Sequence, residues 1–293
     1  MKPAPFAYHR PASLDEVFHL LERYGSDARL LAGGQSLVPA LNMRLATPAA
    51  LVDINRLPGL DAIRVGPAGL AIGALCRQET ARGSPLVARE APLLAQALPH
   101  VGHLAIRTRG TVGGSVALAD PAAELPACLV ALDAVVRVAS RRGTREVAAG
   151  DFFRGVYTTA LEPGELVVEV VIPPRRPGAR DAFLELSRRH GDYALVGFAV
   201  HADVTAGAVD DLRIVCCGVG STPVRARGAE AALRGRRPDA AAVQAAQEAL
   251  GGELDPPADV HASAALRRHL ARVLLARALA ALGGAERQGR GAP

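Results

Sequence analysis

Two short segments constrain this chain more than anything else in it: LAGGQSL at 31–37 and TVGGS at 111–115. Each joins a glycine pair to hydroxyl or amide side chains. Residues without a Cβ atom let the chain turn sharply and let another group come close to the backbone. In the first segment a strand-like run from Arg29 to Ala32 breaks at Gly33-Gly34, and LVPALNMRL then reads as the start of a short helix. The amide N–H groups left over at a helix start suit a phosphate. Gln35 and Ser36 add side-chain donors, and Leu37 opens the helical run. A tight turn holding no ligand is the simpler account of this motif taken alone, because Gly-Gly turns are common. The second segment contributes Thr111, Gly113, Gly114 and Ser115, with Arg107 and Arg109 just upstream. Two such loops in one domain put a diphosphate held between them on an equal footing with a pair of ligand-free turns. Neither segment fits GxxxxGK[ST], nor GxGxxG after a strand, so P-loop and Rossmann sites are excluded.

The surrounding pattern supplies the other elements. Ser13 is a good N-cap, Asp15 and Glu16 fall in the first turn, and Leu14, Val17, Phe18 and Leu21 recur at helical spacing up to Gly25. Strands are expected at 51–54, 62–65 and 70–74, a helix from Pro85 to Leu98, a polar glycine-containing segment at 106–116, a helix from Ala122 to Leu132, and strands at 134–140 and 166–173. Prolines and arginines crowd 173–182 and mark a boundary. Strand-like runs follow at 182–187, 194–204 and 212–220, and helices dominate from Val224 to about Leu282. The expected class is α+β: a two-lobed α/β domain at 1–175 (lobes 1–57 and 58–175), then at 176–284 a small antiparallel sheet backed by helices. The tail at 285–293 is expected to be disordered.

Several functional classes are disfavoured. Cys76, Cys128, Cys216 and Cys217 have neither zinc nor iron–sulfur spacing and read as buried thiols in a reducing cytosol. His100 and His103 have no third ligand near in sequence and read as loop or surface histidines, so no metal site is expected. His261 and His269 read as solvent-facing in an Arg-rich helix, and His190-Gly191-Asp192 as a turn that presents Tyr193. The net charge of +5 is almost all arginine, Lys2 being the only lysine. Those arginines are interleaved with acids and lack stacking aromatics, so nucleic acid is not an expected partner. No apolar signal core opens the chain and no segment reaches the uncharged length of a membrane span, which predicts a soluble, cytoplasmic protein.

AGGQSLVPALNMRLATP (32–48) and IRTRGTVGGSVALADPAAELPA (106–127) resemble the two FAD signatures of molybdenum-hydroxylase flavoprotein subunits, of the xanthine dehydrogenase and carbon monoxide dehydrogenase type. FAYHRPASLDEVFHLL (6–21), SRRHGDYALVGFAV (187–200) and GVGSTPVRA (218–226) resemble further stretches of that family, in order, to about residue 284. The resemblance implies an FAD-carrying oxidoreductase subunit. Ala32, Gly33, Gly34, Gln35, Ser36 and Leu37 would wrap the diphosphate from one side, and Thr111, Gly113, Gly114 and Ser115 from the other. Asp120 and Glu124 would lie around the ribityl and adenosine portions, Leu166 on a strand along the flavin, and Tyr193 near the isoalloxazine ring.

No catalytic residue is implied, because the flavin itself carries the electrons. Implied partners are a small subunit with [2Fe–2S] clusters, a large subunit with molybdenum on molybdopterin, and an external electron acceptor, in a heterohexamer of two three-subunit units. There are two departures: Thr108 stands where the family often has Asn, and the strand 182–187 offers Glu185 where mammalian xanthine enzymes place a lysine near the flavin. The scattered cysteines exclude the benzoyl-CoA-reducing branch with its iron–sulfur insertion. The competing readings are a stand-alone FAD oxidoreductase of the same fold, a scaffold that has lost FAD, and an arginine-mediated nucleic-acid binder.

Overall fold

Ser13 caps the first helix where its position predicts, its hydroxyl accepting from the Glu16 N–H at 3.2 Å, while the Glu16 carboxylate accepts from the Ala12 N–H at 2.7 Å. In the computed structural model, which describes residues 1–205 and 207–284, this helix is α1 (Leu14–Tyr24). The expected disordered tail at 285–293 lies outside the described residues. Around α1 are β1 (Ala7–His9), β2 (Ala28–Leu31), the short α2 (Leu37–Asn42) and β3 (Ala50–Asp53). The three strands form a parallel sheet in the order β1-β3-β2. The middle strand, ALVD, is buried at every residue, and α1 lays Val17 and Phe18 on Val52, Ile54 and Leu57.

The next part is a sheet with helices over one face. β4 (Ile63–Gly66) and β5 (Gly69–Gly73) lead into α3 (Gln78–Arg82), α4 (Pro85–Glu90), α5 (Pro92–Ala97), α6 (Leu104–Arg107), α7 (Val112–Leu118) and α8 (Glu124–Ala131). Then come β6 (Val135–Ser140), β7 (Gly143–Ala148), the one-turn α9 (Ala149–Phe152), β8 (Phe153–Gly155), β9 (Thr158–Thr159) and β10 (Leu166–Ile172). The sheet runs β4-β5-β10-β6-β7, antiparallel throughout. Its apolar middle strand, LVVEVVI, accepts Glu169 because Arg64 and Arg137 reach its carboxylate at 2.5 and 2.7 Å.

One expectation needs correction here. The helix from Pro85 to Leu98 is broken at Ala91 (φ −137, ψ 64), because Pro92 has no N–H and pushes the preceding residue out of the α region. Most of the glycine-containing segment 106–116 lies in α6 and α7.

Residues 173–178 belong to no strand or helix. Beyond them β11 (Ala179–Ser187), β12 (Ala194–Thr205), β13 (Ala208–Cys217) and β14 (Val224–Arg225) form a second antiparallel sheet, followed by α10 (Arg227–Leu233), α11 (Ala240–Glu253) and α12 (Ala264–Gly284). Val196, Phe198, Val200, Ile214 and Cys216 face these three helices. The alternate residues, among them Phe183, Ala199, Val215 and Cys217, pack into the core built around α5 and α8. The expected sheet backed by helices is present, and it is covered on both faces. This explains α8, ELPACLVA, all eight residues of which are buried: it lies between two sheets and has no solvent side. His269 lies on α12 and is exposed, whereas His261, also exposed, precedes that helix. Among the described residues, no helix is long and apolar enough to cross a membrane.

Candidate functional site

The β2 strand ends at Leu31, and the chain turns through Gly33 and Gly34 into α2, Gly34 taking φ 74. Here the carbonyls are occupied: Gly34 O accepts from Val38 N–H, Ser36 O from Ala40 N–H, and Gly33 O from the Gln35 side chain at 3.1 Å. The N–H groups at this helix start remain as the loop's donors. In the second segment Thr111 N-caps α7, and the amides are already committed. Val112 N–H donates to Cys76 O, Gly113 N–H to Ala74 O, Gly114 N–H to the Thr111 hydroxyl and Ser115 N–H to Thr111 O. What this side can offer a ligand is its hydroxyls and the absence of bulk.

The glycines do more than leave room for a ligand. A Cβ on Gly33 would lie 2.5 Å from Arg109 O and 2.8 Å from Gly110 Cα. A Cβ on Gly113 would lie 2.6 Å from Ala74 Cα. The two loops therefore touch backbone to backbone. A side-chain clip locks them: Asn55 donates to Leu31 O and Ala32 O at 3.2 and 2.8 Å, accepts from Arg77 at 2.7 Å, and Arg77 also donates to Arg109 O. Asn55 is steadied by Asp53, whose other oxygen accepts from the Tyr8 hydroxyl at 2.5 Å.

Between the loops lies a cleft of about 680 Å³, within the usual range for a small-molecule site. One wall is Ala32, Gly33, Gly34, Gln35, Ser36 and Leu37; the facing wall is Thr111, Gly113, Gly114 and Ser115. Asp120, Glu124, Leu166 and Tyr193 extend it towards the second sheet. Every residue named from the sequence as a site candidate thus lines this one cleft. Tyr193 stands at its mouth, 69% exposed, after the turn His190-Gly191-Asp192.

Other residues do not do what their neighbourhood suggested. Arg107 is buried and engaged with Glu79 at 2.9 Å and with the carbonyls of Val101 and Gly102, and Arg109 is exposed outside the cleft. The Arg107 guanidinium is therefore not available to a diphosphate there. Thr108 is exposed, and its hydroxyl donates to Ala105 O. His100 is half-buried with its ring 5.2 Å from Phe183, and burial, helped by His190, holds its imidazole below the usual range. No three His, Cys, Asp or Glu side chains among the described residues are grouped to hold a metal, and all four cysteines are free and buried.

Sequence reasoning missed Gln78, Tyr157 and the Asn55–Arg77 clip. Gln78 is buried in the cleft wall, its Oε1 packed beside Gly110 and without a hydrogen-bond partner. Tyr157 lines the cleft at φ 52 and donates to Asp120 at 3.4 Å. The left-handed backbone of Ala119 and Tyr157, joined by a Tyr157 N–H to Ala119 O bond, marks strained chain beside the site. No local motif announces any of these.

The far wall is acidic. Burial, then the nearby Asp120, pushes the Glu124 carboxyl up to about 7. Burial, then Glu124, pushes Glu185 on β11 up to about 8. An acid held above its unfolded value binds its proton more tightly when folded, so the stability this gives is full below about pH 4.3 and is lost as pH rises through 7 and 8. Because Glu185 is partly reached by solvent, about 2 kcal/mol is a fair share for it. Glu185→Gln should accordingly flatten the fall in melting temperature between pH 5 and 9, raising it by a few degrees at pH 9. Parallel wild-type and variant curves would show that Glu185 titrates normally.

The FAD-binding domain of molybdopterin dehydrogenases matches residues 4–175, and the carbon monoxide dehydrogenase flavoprotein C-terminal domain matches residues 181–282. The chain is 42% identical over 281 residues to subunit alpha of the 6-hydroxypseudooxynicotine dehydrogenase complex of Paenarthrobacter nicotinovorans, covering 96% of this chain and 95% of that one. Its structure superposes on a chain of carbon monoxide dehydrogenase from Hydrogenophaga pseudoflava with a TM-score of 0.94 at 39% identity, covering 97% of this chain and 99% of the other. For quinoline 2-oxidoreductase from Pseudomonas putida 86 the TM-score is 0.93 at 38% identity, with the same coverage.

Proposed function

Since the chain belongs to the FAD-binding flavoprotein subunits of the molybdopterin dehydrogenases, we propose that it holds one FAD across the cleft between the two glycine loops. It is an oxidoreductase subunit. The observation that carries the site assignment is the convergence of both glycine segments on one cleft, clamped by Asn55 and Arg77. The chemistry of that cleft fits the cofactor. Donor amides at 33–37 and the hydroxyls of Ser36 and Ser115 suit a diphosphate, and Leu166 and Val167 supply apolar surface. The division into a two-lobed FAD domain at 1–175 and a flavoprotein C-terminal domain at 176–284 belongs to the same proposal.

Bound FAD would accept electrons from the [2Fe–2S] clusters of a small partner subunit and pass them to an external acceptor. The protein's own residues bind and orient it and supply no general base. The large partner would carry molybdenum, in a dimer of three-subunit units. The related complexes are named for 6-hydroxypseudooxynicotine, carbon monoxide and quinoline, which have little chemistry in common. Substrate choice is therefore assigned to the molybdenum subunit and not to this chain.

The test is the visible spectrum of the purified chain, alone and co-expressed with its neighbours, with chromatography of the flavin released on denaturation. Near-stoichiometric FAD is expected. FMN would break the diphosphate assignment, and a colourless assembly that takes up no added FAD would overturn the reading.

A further inference from the structure

Four carboxyls in this protein are buried beside a cation: Glu169 has Arg64 and Arg137, Glu165 has Arg145, Asp181 has Arg175, and Glu230 has Arg225. Asp53 and Asp120 form no ion pair, but Asp53 is hydrogen-bonded to Tyr8 and Asn55, and Asp120 to Ala122 N–H and Tyr157. Among the described residues neither Glu124 nor Glu185 forms an ion pair. Glu124 is 7% exposed, opens α8 and lines the FAD cleft. Glu185 stands behind it on β11, level with Gly197 on β12 and Cys217 on β13. A Cβ on Gly197 would meet Cys217 Sγ at 2.5 Å and Glu185 Cγ at an ordinary 3.8 Å, so the glycine makes room for Cys217 and the Glu185 stem lies beside it. Glu185 Oε2 is buried and has no hydrogen-bond partner.

An isolated carboxylate costs far more to bury than a neutral carboxyl, and two facing anions cost more still. We propose that Glu124 and Glu185 form a proton-holding pair on the wall of the cofactor cleft, and that FAD binding is coupled to protonation of this pair. The inference rests on the reading that FAD occupies the cleft. Bound FAD would cover Glu124 from water and bring a doubly negative diphosphate into the same enclosure, and both effects favour the protonated pair.

Asp120 lies on the loop before α8, Tyr157 on the β8–β9 turn, Asp192 and Tyr193 before β12, Cys128 on α8 and Cys217 on β13, and all of these are neutral or anionic. The cation in the cleft lining, Arg29 on β2, donates to Ser26 O and Ala28 O and pairs with neither carboxyl. Both carboxyls are already raised towards neutrality by burial without the cofactor. Glu185 does not line the cleft, so it is a positioning residue acting through Glu124.

The experiment is calorimetric titration of FAD into the flavin-depleted protein, isolated with whatever subunits accompany it, in two buffers of different ionisation enthalpy from pH 6.5 to 9. Wild type should take up protons on binding near pH 8, and its Kd should weaken by up to about tenfold per pH unit above that point. Glu185→Gln, which leaves the cleft lining intact, should still bind FAD but with smaller uptake and a flatter pH profile. Glu124→Gln is the second variant, and the melting temperature of each confirms that it is folded. FAD binding with no proton uptake, or an unchanged pH slope in both folded variants, would overturn the proposal and leave the FAD reading standing. Failure of the wild-type protein to bind FAD at any pH would overturn both.

Discussion

Replacing Gly33 with valine is expected to empty the FAD site while leaving the fold in place. The cause is in the protein itself. At position 33 even a Cβ would meet Arg109 O at 2.5 Å, a separation that side chains do not tolerate, and the obstacle is backbone and cannot rotate away. The two glycine loops must part, which strains the bond from Arg77 to Arg109 O and opens the clip through Asn55. If two charge-assisted hydrogen bonds to the diphosphate are lost, at about 1.5–3 kcal/mol each, affinity falls roughly 10²–10⁴-fold. Flavin content measured after denaturation should drop from near one per chain to a small fraction. Gly33→Ala should share most of the loss. Gly113→Val should match it by pushing α7 off Ala74, whereas Gly66→Ala, with nothing within 4 Å of its Cβ and no left-handed backbone, controls for glycine replacement as such. Full occupancy in folded Gly33→Val would mean that FAD does not depend on the contact between these loops.

Arg267→Ala should cost about 3–5 kcal/mol of stability, the range for breaking a buried charged network. Arg267 is 4% exposed on α12 and donates to Leu195 O at 2.6 Å, Gly218 O at 3.1 Å and Asp259 at 2.7 Å. Truncation leaves two backbone carbonyls without partners inside the protein and opens a hole where the stem lay. Leu195 follows the turn that carries Tyr193 to the mouth of the cleft, so the damage reaches the site. Arg267→Met keeps most of the packing and should recover only part of the loss. Thermal or denaturant unfolding would measure both variants, and a change below about 1 kcal/mol in Arg267→Ala would show that water replaces the guanidinium cheaply.

The helix at 14–24 was legible because its cap, first-turn acids, apolar spacing and terminal glycine all act within a few residues of each other. The split at Ala91 was legible too, had Pro92 been weighed above the apolar run around it. The segment at 106–116 was harder, since glycine is a poor helix former and only tertiary bonds, Val112 to Cys76 and Gly113 to Ala74, hold α7 in place. Arg107 looked like a free cation near a phosphate loop. It is occupied by Glu79 and two carbonyls, and no short-range pattern shows that.

By itself the sequence determined most of the elements and the two glycine turns, which depend on backbone preferences and motifs read within a few residues of one another. Its resemblance to the family pointed to many of the residues that line the cleft, though not to Gln78 or Tyr157. Only the tertiary structure decided what lies beside those glycines, how Asn55 and Arg77 fasten the loops, and that neither Glu124 nor Glu185 has a cationic partner among the described residues. Contacts between distant segments depend on how whole sheets and helices stack, and a carboxyl's proton affinity depends on what that stacking excludes from around it.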